Sequence, residues 1–273
     1  MASAPRLRKS LGQHHLRHGA SCRPVIDCLR PVGRTVVEIG PGGGVLTQEL
    51  LGAGAAVVGW ELDLAWAAEL RRRLPDPALR IVVGDALDLP WERLPAGWLA
   101  AGNLPYSVAT AILERFLLRA VSSSRAIFLV QDEVAARLAA APGSRTYGLL
   151  SVTTAALATV NVLARLAPGS FRPPPKVHGA LVAIERLAEP ALPMAEMEAF
   201  RQTVGQAFAH RRKTLANSLA ASHGRAAAES SLAAAGIDAA RRAETLSLDE
   251  FIALHRVLRS ARDPRPDALA PES

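Results

Sequence analysis

With 273 residues, 49% of them hydrophobic and 21% charged, the chain can bury a core without staples, as one large domain or as a medium and a small one. No apolar run reaches the roughly 20 residues that cross a bilayer, residues 1–10 lack the apolar stretch of a secretory signal, and Cys22 and Cys28 form neither a zinc pattern nor a disulfide framework; a soluble protein of a reducing cytoplasm is expected. A formal net charge of +7 argues for a polyanionic partner.

In chain order, the first 34 residues carry Arg6, Arg8, Lys9, Arg17, Arg23, Arg30 and Arg34 against a single acid, Asp27. A second basic cluster is His210-Arg211-Arg212-Lys213. Either could be a solvated face, but two clusters favour a polyanion. Of 32 basic residues only three are lysines, Lys9, Lys176 and Lys213, as if those sites want a compact ammonium.

From residue 35 onward, short apolar runs at 35–40, 56–62, 79–85, 98–104 and 126–131 alternate with helical patterns, which predicts crossover connections and a parallel sheet. Runs at 152–160 and 179–186 follow without a strong helix between them and predict an antiparallel closing pair, for seven strands in all. Residues 187–197 read as a linker. Beyond it, Phe200, Val204, Phe208, Arg211, Leu215 and Leu219 recur at three- and four-residue steps as one helical stripe. Ser247 and Glu250 form a capping box before another helix. The ends, 1–10 and 261–273, are expected to be a flexible basic tail and a disordered tail. The domains are expected at 11–188 and 197–260.

The first strand runs through Glu38 into Gly40-Pro41-Gly42-Gly43-Gly44 and a helix. Such a turn lets backbone approach a ligand closely and could hold NAD, FAD or S-adenosylmethionine, or be only a tight turn. Two acids sharpen the choice: Glu61 at the next strand end can accept from ribose hydroxyls, and Asp85 at the third can meet an adenine amine. Pro41 breaks the dinucleotide glycine spacing, and Glu38 sits where pyrophosphate would be unwelcome. A ligand with no phosphates and a positive centre, such as S-adenosylmethionine, suits these residues better.

The fourth strand ends Asn103-Leu104-Pro105-Tyr106. An exocyclic adenine amine is a poor nucleophile because its lone pair is delocalised into the ring. The Asn103 side-chain oxygen and a backbone carbonyl at Leu104 or Pro105 can each accept one of its N–H bonds and localise the lone pair. Proline contributes only an acceptor. Tyr106 offers a stacking face for an unstacked base, worth about 1–3 kcal/mol.

These segments resemble the ribosomal RNA adenine dimethyltransferases, specifically the bacterial small-subunit (KsgA/RsmA) type, over about residues 11–258. The resemblance rests on Leu11-Gly12-Gln13, Glu38-Ile39-Gly40-Pro41-Gly42, Glu61-Leu62-Asp63, Gly84-Asp85-Ala86, Asn103-Leu104-Pro105-Tyr106, Gln131-Asp132-Glu133-Val134, Phe171-Arg172-Pro173-Pro174-Pro175-Lys176-Val177, and Ala207-Phe208 with Arg211-Arg212-Lys213-Thr214-Leu215. It implies a class I, Rossmann-like, seven-stranded methyltransferase domain with a small all-helical C-terminal domain. It further implies dimethylation of two adjacent adenosines in the 3′-terminal hairpin loop of 16S rRNA within the pre-30S subunit.

Cofactor binding would fall to His14, Leu16, Gly40, Gly42, Glu61, Asp85 and Asn103, with no metal. Phe171 would be a second aromatic lining the base pocket, or a core residue. Lys9, Lys176, Arg211, Arg212 and Lys213 would meet RNA, and the chain is expected to act as a monomer. Departures from the family are His14-His15 for Asn-Phe, Ser107 for a frequent Asn, and His178-Gly179 for Asp-Ser. Two rivals stay open: an Erm-type enzyme acting on large-subunit rRNA, disfavoured by Leu104 and Tyr106, and a non-catalytic assembly factor, disfavoured by intact Glu61, Asp85 and Asn103. A NAD-dependent dehydrogenase ranks last.

Overall fold

The computed structural model describes Pro5 and residues 14–262. Lys9, the Leu11-Gly12-Gln13 motif and most of the two tails lie outside the described residues. The chain divides into two compact units, Met1–Ala139 with Leu157–Glu189, and Ala140–Ala156 with Pro190–Ser273. The second unit thus takes in residues 140–156 as well as the C-terminal segment, an interleaving that a single linker at 187–197 does not anticipate.

The first unit is built on a seven-stranded sheet. Its parallel part consists of β2 (Thr35–Ile39), β3 (Ala56–Glu61), β4 (Leu79–Val83), β5 (Leu99–Asn103) and β6 (Arg125–Gln131). Helices α2 (Val45–Gly52), α3 (Leu64–Arg73) and α4 (Ala109–Arg119) make three of the crossovers, two short 3-10 turns at Ala86–Asp88 and Trp91–Arg93 lie on the one from β4 to β5, and α5 (Asp132–Leu138) follows β6. β9 (Gly179–Arg186) pairs antiparallel with β6, and β7 (Ala158–Leu166) pairs antiparallel with β9. The order β4-β3-β2-β5-β6-β9-β7 reverses direction between β2 and β5. Ligands of open α/β sheets bind at the carboxyl ends of the strands at such a reversal.

Both faces of the sheet are covered, as the near-continuous apolar strands require. One face meets α1 (Arg23–Leu29) and α2 through Val25, Leu29, Leu46 and Leu50. The other holds Trp91, Trp98, Phe116 and Phe128, all nearly inaccessible to solvent and packed mostly edge to face.

A two-residue pairing escapes sequence reasoning: β1 (His15–Leu16) runs antiparallel to β8 (Phe171–Arg172), with Leu16 opposite Phe171. It ties the N-terminal segment to the stretch just before β9 as a separate two-stranded sheet. Two residues are too few to show any periodicity.

Residues 152–160 do not form a strand. Helix α6 (Leu149–Leu157) occupies most of them, and β7 begins only at Ala158. The segment Ser151-Val152-Thr153-Thr154 is rich in β-branched residues and buried, so periodicity cannot separate helix from strand there. The helix accommodates the buried Thr154 hydroxyl because Oγ1 donates to the Leu150 carbonyl at 2.6 Å.

The long helical stripe also breaks. α7 (Met194–Phe208) stops before the basic run, and α8 (Leu215–His223) restarts after Thr214, whose hydroxyl caps it by accepting from the Asn217 N–H. Arg211 therefore lies in a turn, which is why it interrupts the apolar pattern. α9 (Arg225–Ala234) and α10 (Leu248–Arg262) complete the unit.

The capping box before α10 forms in both directions. Glu250 Oε2 accepts from the Ser247 N–H at 2.8 Å, and Ser247 Oγ accepts from the Glu250 N–H at 3.2 Å. Ser247→Ala is expected to cost about 0.5–2 kcal/mol, read as a lower urea midpoint at unchanged slope.

Candidate active site

The reversal between β2 and β5 opens a cleft of about 710 Å³ including its mouth, lined by His14, Gly40, Gly42, Trp60, Glu61, Gly84, Asp85, Asn103, Pro105 and Tyr106 among others. Its acidic side chains are Glu61 and Asp85, and no described Arg or Lys lines it. An acidic lining of this kind repels pyrophosphate and suits a cationic ligand. The dehydrogenase reading loses its footing here.

Each functional side chain is delivered by a strand end. Gly40, Gly42 and Gly44 follow β2 with positive φ values of 65°, 48° and 74°. At Gly42 the demand is twofold, since a Cβ would also fall 2.6 Å from His15 Nε2. The Gly42 N–H donates to Glu61 Oε2 at 2.9 Å, while the Asp63 N–H donates to Glu61 Oε1 at 2.8 Å. Glu61, at the end of β3, is thereby oriented with one lone pair on each oxygen spent. Burial raises its pKa despite those bonds. After β4, Asp85 Oδ1 accepts from the Leu87 N–H at 2.8 Å, which leaves Oδ2 without a partner among the described residues.

Beside the cleft, Glu38 is 1% exposed and its Oε2 accepts from the Thr47 hydroxyl at 2.7 Å. Desolvation pushes its pKa up to about 8, with the Thr47 bond opposing and Glu61 adding.

The acceptor motif leaves β5 with its backbone locked. The Leu104 N–H donates to the Leu129 carbonyl at 3.0 Å, and the Val108 N–H donates to the Pro105 carbonyl at 3.1 Å. Of the two carbonyls left open by the sequence, Leu104 is the one that no described donor occupies. The Asn103 amide nitrogen donates to the His14 carbonyl, so Oδ1 is the group left to accept from a ligand. The amide orientation is assigned by that bond.

The His14 ring is held in turn. Its Nδ1 lies 2.8 Å from the Pro173 carbonyl, so Nδ1 carries the proton, and its ring centroid is 5.3 Å from that of Tyr106. Tyr106 is half-buried, and burial raises its pKa.

His15, the odd residue of the N-terminal segment, packs over the glycine turn. Its ring covers Gly42 and Gly43 and meets Trp66 edge to face at 4.6 Å. Burial first, then the nearby His14, lowers its pKa to about 4, with Asp63 opposing, so it is neutral at pH 7.

Other expected residues lie elsewhere. Phe171 is 1% exposed and sits in the core with Leu16, Leu129 and Leu181. It is not among the residues that line the cleft. Leu16, 9% exposed, lines a smaller recess with His15, Glu38 and Gly44. Lys176 is exposed on the loop between β8 and β9.

Arg211 is engaged inside the second unit, donating to the Arg145 carbonyl and pairing with Glu244 at 3.7 Å. Arg212 and Lys213 are exposed and have no side-chain partner among the described residues. Sequence reasoning missed Trp60, Ile39, Val108 and Ile112 as lining residues. They are apolar members of strands and helices with nothing to distinguish them from core.

The raised Glu38 pKa sets a pH signature. The native state keeps a proton that the unfolded chain releases above its ordinary 4.5, so the stabilisation is full below 4.5 and lost as pH rises toward about 8. Relative to Glu38→Gln, the wild type should lose urea resistance steadily across that window. Parallel pH curves for the two proteins would contradict it.

Comparison with known proteins agrees with this geometry. The family model described as ribosomal RNA adenine dimethylase matches residues 4–259. A protein of Syntrophotalea carbinolica called ribosomal RNA small subunit methyltransferase A is 43% identical over 256 residues, covering 90% of this chain and 94% of the relative. Its namesake in Geobacter metallireducens is 41% identical over 265 residues, covering 93% and 96%. Among solved structures, a dimethyladenosine transferase from Plasmodium falciparum superposes with a TM-score of 0.79 at 20% identity, over 91% of this chain and 98% of its own, a likeness of fold. The 23S rRNA methyltransferase ErmE gives a TM-score of 0.67 at 26% identity, over 89% and 99%. The chain belongs to the ribosomal RNA adenine dimethylase family.

Proposed function

We propose that the chain transfers methyl groups from S-adenosyl-L-methionine to the N6 amines of two adjacent adenosines in the 3′-terminal hairpin loop of 16S rRNA, on the pre-30S subunit in the cytoplasm. The observation that carries the reading is the pair of unspent acceptors at one strand end, Asn103 Oδ1 and the Leu104 carbonyl, held by bonds to His14 and Leu129. When bound, S-adenosylmethionine supplies an electrophilic methyl group on a sulfonium.

The protein's own part is positioning. Glu61, oriented by the Gly42 and Asp63 amides, accepts from the cofactor ribose hydroxyls, and Asp85 Oδ2 accepts from the cofactor adenine amine. Asn103 and Leu104 take the two N–H bonds of the target amine, which localises its lone pair toward the methyl. Tyr106 stacks on the target base. A strong base is unnecessary, because methylation itself acidifies the nitrogen. The acidic lining of the cleft supports this assignment of roles. The small-subunit reading is preferred to the Erm-type one because Leu104 and Tyr106 follow the small-subunit pattern.

Asn103→Ala should lower methyl transfer about 10²- to 10³-fold, the scale for losing one preorganised polar group, with RNA retention on filters unchanged. Labelled-cofactor assays on immature 30S subunits from a strain lacking the activity, with mapping of modified nucleotides, read this directly; transfer at wild-type rate would remove Asn103 from the mechanism. Arg212→Glu with Lys213→Glu should weaken RNA binding and reduce the slope of log affinity against log salt by about one for each phosphate no longer neutralised. An unaltered slope would make the cluster structural.

A further inference from the structure

Between the two acids of the cleft stands a residue that neither the glycine turn nor the acceptor motif explains. Trp60 is the penultimate residue of β3, directly before Glu61, and it lines the cleft. Its indole Nε1–H donates to the Asp85 main-chain carbonyl at 2.9 Å. The same carbonyl accepts from the Asp88 N–H at 3.0 Å, so both of its lone pairs are spent. The Gly84 N–H donates to the Glu61 carbonyl at 3.0 Å, which ties the end of β4 to the end of β3.

The indole also lies close against Gly84. A Cβ there would stand 3.1 Å from Nε1 and 3.2 Å from two ring carbons. Gly84 is therefore the small partner of a large one: the side chain missing at 84 is the space that the indole fills.

We infer that Trp60 is a positioning residue for the cofactor's adenine, interlocked with Gly84 and pinning the main chain at Asp85 so that Asp85 Oδ2 faces the adenine amine. The inference rests on the proposed occupancy of this cleft by S-adenosylmethionine. Oδ1 of Asp85 is already committed to the Leu87 N–H, so the direction of Oδ2 follows the backbone of residues 84–88. That backbone is held from one side by the turn itself and from the other by the indole. Without the indole bond, the carboxylate loses its aim. The consequence is specific: selection of adenine over a purine with a carbonyl in place of the amine weakens, whereas grip on the ribose through Glu61 persists.

The test uses the full-length protein and two probes, S-adenosylhomocysteine and S-inosylhomocysteine, with dissociation constants from calorimetry and melting temperatures alongside. The wild type should prefer the adenine probe. Trp60→Phe, which keeps an aromatic ring and removes the donor, should shrink that preference about three- to tenfold, the scale of one lost hydrogen bond. Gly84→Ala should shrink it in the wild-type background and leave it unchanged in Trp60→Val, where no indole remains to be displaced. If Trp60→Phe weakens both probes equally, or retains the full preference, the positioning role is overturned while the cofactor assignment stands. If the wild type binds neither probe, the cofactor assignment itself fails.

Discussion

The site exists because the sheet changes direction between β2 and β5. Strands β2, β3 and β4 step outward one way, β5 and β6 step the other way, and the crossover helices part at the reversal. The groups assigned to the chemistry sit on the carboxyl ends that face the resulting gap. The glycine turn leaves β2, Glu61 ends β3, Asp85 follows β4, and Asn103 ends β5. Parallel pairing in register aligns those ends side by side, so four separate sequence segments meet in one cleft.

Hydrogen bonding then decides which atoms remain for a ligand. Backbone groups that would otherwise compete are spent within the protein: the Pro105 carbonyl on Val108, the Leu104 N–H on Leu129, and the Asp85 carbonyl on Trp60 and Asp88. Three acceptors are left open there, Asn103 Oδ1, the Leu104 carbonyl and Asp85 Oδ2. A cleft lined with acceptors and carboxylates recognises amines, hydroxyls and a positive centre. Preorganisation of this kind costs nothing at the moment of reaction, because the dipoles are already oriented.

The basic turn of the second unit divides its charges between two uses. Arg211 looks in sequence like the leading member of a charged cluster, yet it is used to hold residues near Arg145 and Glu244 in place. The charges next to it, Arg212 and Lys213, are the ones presented to solvent. Exposed cations of this kind can neutralise phosphates and release the counterions condensed on a polyanion, which is the source of salt-sensitive RNA affinity.

The sequence by itself determined the parallel strands of the sheet, the glycine turn, the two acid-tipped strands and the acceptor tetrapeptide, because each has a local pattern: alternating apolar runs, glycines where φ turns positive, a polar residue where a strand ends. It also carried the family likeness, since those motifs recur at recognisable spacing. Only the tertiary structure decided that residues 149–157 are a buried helix, that the stripe through Arg211 is two helices, and that Phe171 belongs to the core. It alone showed Leu104 as the free carbonyl and His15 as a neutral lid on the glycines. These outcomes depend on partners far away in the chain, 89 residues apart for Asn103 and His14 and 159 for His14 and Pro173. Burial and hydrogen-bond competition between such distant groups leave no periodic trace along the sequence.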